Sequence, residues 1–393
     1  MFPPHHGCRR ILVGGIVICW LVLLEPACNT APGGSNVTPD NIASDDSCDN
    51  TACEQRGKRD GSDGGSSQTT VVPELVAEWG RGILPDDSPP YESCCPGTEC
   101  LCGPGDLAVD SKGNVYVIEV GRDRVKKFSP EGEVLLQWGW DKPQLSGVPC
   151  GHVGYPSDLD IDADDNVFVA ESSAQCVSRF DSHGNYIAGW AIPMCQTITT
   201  TPCPLELAAG PHDRVYVSPQ ANPEYGVSVY DGSGNLVDAW YDLVPDDVEP
   251  PDIGWSVASV TAADDGHVYV AVCPGCWLLV FDTAGNRVQQ VNLSKFFTGP
   301  YDPDAYSPMH GIAILGSLDA GGVLATYHGG YPYILLLHLD FSFAGKFGQF
   351  LPHPCGPDQK LPGVVCGPSG IDITQSRIYV ADHQRGKILV FEY

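Results

Sequence analysis

Between Asp106 and Phe350 the chain passes five times through one four-strand unit, and a sixth pass, from Gly370, stops one strand short at Phe391-Glu392-Tyr393. The units open at Asp106, Asp158, Glu206, Ser259, Gly311 and Gly370. Each runs through a short apolar strand, a turn, a Val-Tyr-Val-like strand, a variable loop, an apolar-aromatic strand, a Gly-containing turn and a fourth strand. Turns such as Gly113-Asn114 and Gly184-Asn185 supply the backbone angles that tight hairpins need. Strands such as Val115-Tyr116-Val117-Ile118 are apolar at adjacent positions, so both of their faces must be covered. A single unit cannot do this, whereas a closed ring of neighbours can. The missing strand has a candidate upstream of the first unit, Leu75-Val76-Ala77-Glu78-Trp79-Gly80. The expected fold class is all-β: a six-bladed β-propeller whose last blade is closed by an N-terminal strand.

A formal net charge of −28 argues against nucleic acid as a partner, because phosphate binding needs clustered Lys and Arg. The N-terminus reads as an export signal over residues 1–27, with Arg9-Arg10 ahead of an apolar stretch from Ile11 to Leu24. That stretch is shorter than the roughly 20 residues of a membrane-spanning helix. Leu24-Glu25-Pro26-Ala27-Cys28 resembles a bacterial lipoprotein cleavage box, with Glu25 where an apolar residue is usual, and predicts lipidation at Cys28. Plain secretion is the alternative. Residues 28–70 are rich in Gly, Ser, Asp and Asn and read as a disordered tether, and residues 71–393 as the propeller. Of 17 Cys, Cys8 and Cys19 would leave with the signal and Cys28 would carry lipid; the remaining count is even, which in an exported chain implies disulfides. The expected location is the cell envelope, by lipid anchor, or the medium.

The best copy of the repeat runs from Gly113 to Gly139: Gly-Asn-Val-Tyr-Val-Ile-Glu, then Arg124, Val125, Lys127 and Phe128, then a Gly turn and Trp138-Gly139. This pattern resembles the NHL-repeat six-bladed β-propellers over about Val71 to Tyr393, strongly in blades one, two and six and weakly in blade five. The resemblance implies closure of the last blade by an N-terminal strand, the role assigned to Leu75–Gly80.

In that topology, loops from a fourth strand to the next first strand and loops from second to third strands emerge on one face, the top. Cys94, Cys95, Cys100 and Cys102, then Cys195 and Cys203, then Cys355 and Cys366 fall in loops of the first kind. Cys150 precedes blade two and Cys176 lies in that blade's second-to-third loop, so these two are expected to pair. Cys273 and Cys276 occupy the equivalent loop of blade four, and Cys48 and Cys53 close a loop in the tether. Cys273-Pro274-Gly275-Cys276 also has redox or zinc spacing, but a β-hairpin loop lacks the helix N-terminus that redox chemistry uses and a second ligand pair is wanting.

Asp106, Asp158 and Glu206 share one repeat position, and Glu119, Glu171 and Asp382 end second strands. The first three, with His310, are the candidates for a cation at the channel mouth, where calcium would suit an oxygen cage; no cofactor is assigned. His310 occupies the slot that resembles the zinc-binding His of peptidyl-hydroxyglycine amidating lyases, but Gly105, Ser157, Leu205, Ala258 and Ser369 fill the other slots. Asp160-x-Asp162-x-Asp164 imitates an EF-hand, with Asp165 where that loop needs Gly. Trp140, Trp255 and Trp277 fall outside the repeat register and are candidates for a recognition surface. The expected function is a binding module whose disulfide-braced top face takes a protein, peptide or glycan, touching membrane only through its lipid. The alternative is a metal-dependent lyase or lactonase-like enzyme acting at the channel mouth.

Overall fold

The computed structural model describes residues 72–80, 97–139, 149–193, 203, 205–219, 226–241, 243–246, 256–273, 277–296, 309–317, 321–328, 334–350, 364–365 and 367–393. All belong to a unit spanning Ser66–Tyr393; the preceding unit, Met1–Gly65, lies outside the described residues. Six four-stranded antiparallel sheets form the blades. Blade one is β2 (Pro104–Val109), β3 (Val115–Glu119), β4 (Arg124–Phe128) and β5 (Val134–Gly139). Blade two is β6 (Pro156–Ile161), β7 (Val167–Glu171), β8 (Cys176–Phe180) and β9 (Tyr186–Ala191). Blade three is β10 (Leu205–Gly210), β11 (Arg214–Pro219), β12 (Val227–Asp231) and β13 (Leu236–Trp240). Blade four is β14 (Ser256–Ala262), β15 (Val268–Cys273), β16 (Trp277–Phe281) and β17 (Arg287–Asn292). Blade five is β18 (Met309–Ser317), β19 (Gly321–His328), β20 (Ile334–His338) and β21 (Phe343–Phe347), followed by a short parallel pair, β22 (Gln349–Phe350) and β23 (Val364–Val365). Blade six is β24 (Pro368–Ile373), β25 (Arg377–Asp382), β26 (Lys387–Glu392) and, from the other end of the chain, β1 (Glu74–Trp79).

β1 is a fourth strand in every respect but chain order. In blades one to five, the fourth strand skips one residue against the third: Leu135, Ile187, Val237, Val288 and Ala344 lie between paired neighbours. β1 makes the same bulge against β26 at Val76, between Leu75↔Phe391 and Ala77↔Val390. Such bulges twist an outer edge away from further pairing, which keeps six peripheral edges from templating aggregation. Five of the six skipped residues pay for this by facing water: Leu135, Ile187, Val237, Val288 and Val76 are about half exposed, while Ala344 of blade five is buried.

Packing repeats as faithfully. The Trp ending one fourth strand lies against the Gly turn of the next blade: Trp138 on Gly184, Trp190 on Gly234, Trp240 on Gly285. A Cβ on Gly184, Gly234 or Gly285 would come within 2.8 Å of the indole, and each has a positive φ, so Gly is required on two counts. Trp79 takes the same place on Gly132 of blade one and stacks on Phe128 at 6.1 Å, joining the sixth blade to the first. Glu78 adds ion pairs from β1 to Arg385 and Lys387; burial pushes its carboxyl up, but the two cations outweigh this and hold it below the ordinary range.

Five hairpin turns at the bottom use one device that goes beyond glycine. In Asp110–Asn114, Asp162–Asn166, Asp181–Asn185, Asp231–Asn235 and Asp282–Asn286, the Asp carboxylate accepts the backbone N–H of the Asn at 2.8–2.9 Å. The Asn amide closes the loop by donating back to the same carboxylate. These are Asx turns reinforced by a side-chain clasp.

Candidate functional site: channel wall and top rim

The first strands touch one another in a closed circle, β2 to β6, β10, β14, β18, β24 and back to β2, and so surround the axis. An innermost strand has ladder partners on one side only, and its other edge needs acceptors from elsewhere. Carboxylates supply them across the blades. Asp158 Oδ2 accepts Leu207 N–H at 2.6 Å, Asp160 Oδ2 accepts Ala209 N–H at 2.8 Å, and Asp372 Oδ2 accepts Val109 N–H at 2.8 Å. Leu159 N–H is held by two residues, by Asp158 Oδ1 at 2.9 Å and by Asp106 Oδ2 at 3.3 Å.

Burial in this wall pushes all four Asp carboxyls upward. Asp160 is raised to about 8 and Asp372 to about 7 by desolvation, against the pull of their backbone bonds. Asp158 lies well above the ordinary range through burial and then through neighbouring Asp106; Asp106 is raised by burial. Asp106, Asp158 and Glu206 therefore do occupy one tier of the wall, as their shared repeat position implied. No three His, Cys, Asp or Glu among the described residues converge as a metal cage, and the Asp oxygens are turned onto amides of the next blade. His310 is placed by its backbone at the start of β18, and its side chain lies outside the described part. In two of the corresponding slots the residue ties blade to blade: Ser157 Oγ donates to Leu205 O at 3.0 Å, and Ser369 Oγ donates to Pro104 O at 2.7 Å.

The EF-hand-like run divides its ligands between two ends of the blade. Asp160 faces the channel, whereas Asp162 clasps its turn and pairs with Arg179 at 3.1 Å. These carboxylates do not gather around one point as an EF-hand's would.

At the top, the acids ending second strands hold the incoming loop. Glu171 accepts Gly151 N–H at 2.9 Å and Gly154 N–H at 3.0 Å; Asp382 accepts Gly367 N–H at 3.2 Å; Glu119 accepts Cys102 N–H at 2.8 Å. Glu119 is fully buried and balanced by Arg124 and Lys126, and Lys126 reaches on to Thr98 O at 3.0 Å. Burial lowers the Lys126 ammonium below its ordinary range, with Glu119 opposing. Cys150 and Cys176 are joined, with Cα atoms 6.2 Å apart, which fastens the loop entering blade two to that blade's own second-to-third loop.

This corner concentrates backbone strain. Eight described non-Gly residues have positive φ, and Asp165, His212, Asp213 and Phe341 sit in bottom hairpins. The other four, Asp123, Val153, Tyr155 and Gln175, lie at the top where blades one and two meet. A fully buried Val at φ 58 is costly for a β-branched side chain, and it persists where surrounding bonds over-determine it. Here Tyr155 N–H donates to Asp123 Oδ1 at 3.0 Å and Ser172 N–H donates to Tyr155 O at 3.1 Å.

Cys100, Cys102 and Cys203 are likewise in disulfides. Trp277 opens β16 and is half-buried against the apolar cluster between blades three and four, with Val257 and Leu279 among its members. Cys273 is placed by its backbone in β15. Trp140, Trp255, Cys28, Cys48, Cys53, Cys94, Cys95, Cys195, Cys276, Cys355 and Cys366 lie outside the described residues. Sequence reasoning missed Asp372 and the channel role of Asp160. The signal was there in the first strands, since blades two and six have Asp at the tier where blades one, three and five have Ala.

No family model matches the chain, and no curated protein does. Among solved structures, the chain is similar to virginiamycin B lyase from Staphylococcus aureus, at 13% identity over 76% of this chain and 83% of that one, with a TM-score of 0.47. It is similar to the WD40 β-propeller domain of Doa1 at 11% identity over 81% and 97%, with a TM-score of 0.46. A protein of unknown function from Bacteroides caccae is similar at 13% identity over 70% and 93%, with a TM-score of 0.44. What the blades, their circular contacts and the shared bulge establish is a six-bladed β-propeller closed by its own N-terminal strand.

Proposed function

We infer that the chain is an exported, lipid-anchored propeller of the NHL type that acts as a binding module through its top face. The observation that carries this reading is the oxidised, strained top corner of blades one and two. There the Cys150–Cys176 bridge, the Glu171 carboxylate and four left-handed residues hold loops in shapes that the fold itself does not require. Cysteines in disulfides at five described positions fit an oxidising compartment, and with the Cys28 box they support the cell envelope as the address. Loops braced in this way are pre-organised, which lowers the ordering cost of recognising a protein, peptide or glycan.

Two measurements test it. Fed a labelled fatty acid, cells making the full chain should incorporate label, and Cys28→Ala should abolish incorporation and release the protein from membranes; unlabelled wild-type protein contradicts the anchor. Immobilised chain screened against peptide and glycan libraries should yield ligands whose binding is weakened by Tyr155→Ala or Trp255→Ala and left intact by Asn235→Ala in a bottom turn. Ligands sensitive only to the bottom turn, or none at all, contradict the top-face reading. Elemental analysis of the same protein separates the enzyme alternative: a stoichiometric metal lost in Asp158→Asn would redirect attention to the channel.

A further inference from the structure

The six first strands carry five carboxylates, Asp106, Asp158, Asp160, Glu206 and Asp372, and no Lys or Arg. All five fall on consecutive blades, six, one, two and three. Asp106 Oδ2 and Asp158 Oδ1 both accept the one amide N–H of Leu159, at 3.3 and 2.9 Å, so the two carboxyl groups lie side by side in the wall. Two carboxyl groups held this close, on strands without Lys or Arg, repel when both are ionised, and a proton shared between them removes the repulsion.

The groups acting on this pair are acidic. Glu206 and Asp106 act on Asp158, and Asp106 and Asp372 act on Asp160. On the second strands packed behind, Glu119 is occupied by Arg124 and Lys126, Glu171 and Asp382 hold loop amides, and Arg377 pairs with Glu392 at the far end. Arg214 acts on Tyr216 and Asp231. On the first strands of the remaining blades, β14 has no charged residue and β18 has only His310.

We propose that Asp106 and Asp158 share one proton at neutral pH and that this proton fastens the inner strand of blade one to that of blade two. The acidic arc is then a pH-responsive seam that tightens in mild acid and loosens in alkali. The sign follows from linkage. Burial raises these carboxyls in the folded ring, so the folded state keeps protons that the unfolded chain gives up above about pH 4. Unfolding therefore releases protons from that range up to about 8, where Asp160 titrates, and stability falls as pH rises through the window. Each proton released lowers the folding equilibrium constant about tenfold per pH unit.

The test is denaturant unfolding of the full chain, disulfides intact, between pH 5 and 8. The wild-type folding constant should fall about tenfold or more per pH unit. In Asp158→Asn, where an amide N–H replaces the shared proton, the fall should be shallower by about one proton, while Asp231→Asn in an exposed turn should keep the wild-type slope. A flat or rising wild-type profile, or an Asp158→Asn slope equal to wild type, overturns the proposal. If Asp158→Asn does not fold, infrared spectra of the wild type decide: a carbonyl band of protonated carboxylic acid in the folded chain at pH 7, lost on unfolding, is expected, and its absence overturns the proposal.

Discussion

All six blades share apolar interfaces, but blades six, one, two and three add carboxylates between their inner strands, whereas the inner strands of blades four and five carry none. On the first arc, inner-strand amides are taken by Asp106, Asp158, Asp160 and Asp372, and the ends of second strands by Glu119, Glu171 and Asp382. On the second, the inner tiers carry Ser259 and Thr261, then Gly311 and Ala313, and Val272 of β15 stands at the repeat position of Glu119. An apolar cluster of Tyr269, Leu278, Ile312, Leu324, Leu335 and Leu337 fills the interface. A repeated tyrosine makes the contrast local. Tyr116 donates to Asp110 at 3.2 Å and receives Lys127, whereas buried Tyr269 has no partner for its hydroxyl among the described residues, because Ala263 and Val280 stand where blade one has the Asp and Lys. One ring thus shows two ways to join blades, one directional and pH-sensitive, the other non-directional and indifferent to pH.

The largest break should come at the seam between blades six and one. Deleting residues 71–80 removes β1 with Trp79 and leaves β26 and the face of blade one uncovered, so the cooperative unfolding transition should vanish in calorimetry. On the apolar arc, Leu335→Ala or Leu337→Ala should cost about 2–5 kcal/mol by denaturant unfolding, equally at pH 5 and pH 8. The tyrosine pair sharpens the contrast further. Tyr116→Phe should destabilise by about 1 kcal/mol by removing the hydroxyl that bridges Lys127 to Asp110, which remain paired with each other at 3.3 Å, whereas Tyr269→Phe should be neutral or slightly stabilising. Smallest, and at the opposite end of the pH scale, are the turn clasps. Asn286 holds the Asp282 carboxyl below its ordinary range, so the stability it contributes is present above about pH 4 and lost as pH falls through the lower folded value. Asp282→Ala should therefore lower the melting temperature at pH 6 and change little at pH 2.

Much of this was legible in the chain. The repeat gave six blades because hairpin glycines and Val-Tyr-Val strands recur in step, and Trp79 betrayed β1 as a fourth strand by matching Trp138, Trp190 and Trp240. The Cys150–Cys176 pairing followed from both residues mapping to one face. The inter-blade carboxylate bonds were hidden, because periodicity places Asp158 on a strand without saying that its acceptors point at Leu207 of the next blade. For the same reason Asp160 looked like part of a calcium loop: in sequence it neighbours Asp162, but alternate tiers of one strand led it to the channel and its neighbour to a turn. The clasped turns, by contrast, were written plainly as Asp-x-x-x-Asn five times over, and the glycine drew notice instead.

Native-state hydrogen exchange, read residue by residue from pH 5 to pH 8, tests the two-arc account most directly. After correction for intrinsic exchange, the opening free energies of the Val109, Leu159, Leu207 and Ala209 amides should fall with rising pH more steeply than those of Val260 and Ile312 on the inner strands of blades four and five, which share only the global loss of stability. If all six fall with the same slope, or the four on the acidic arc gain protection in alkali, carboxylates do not hold the inner ring locally.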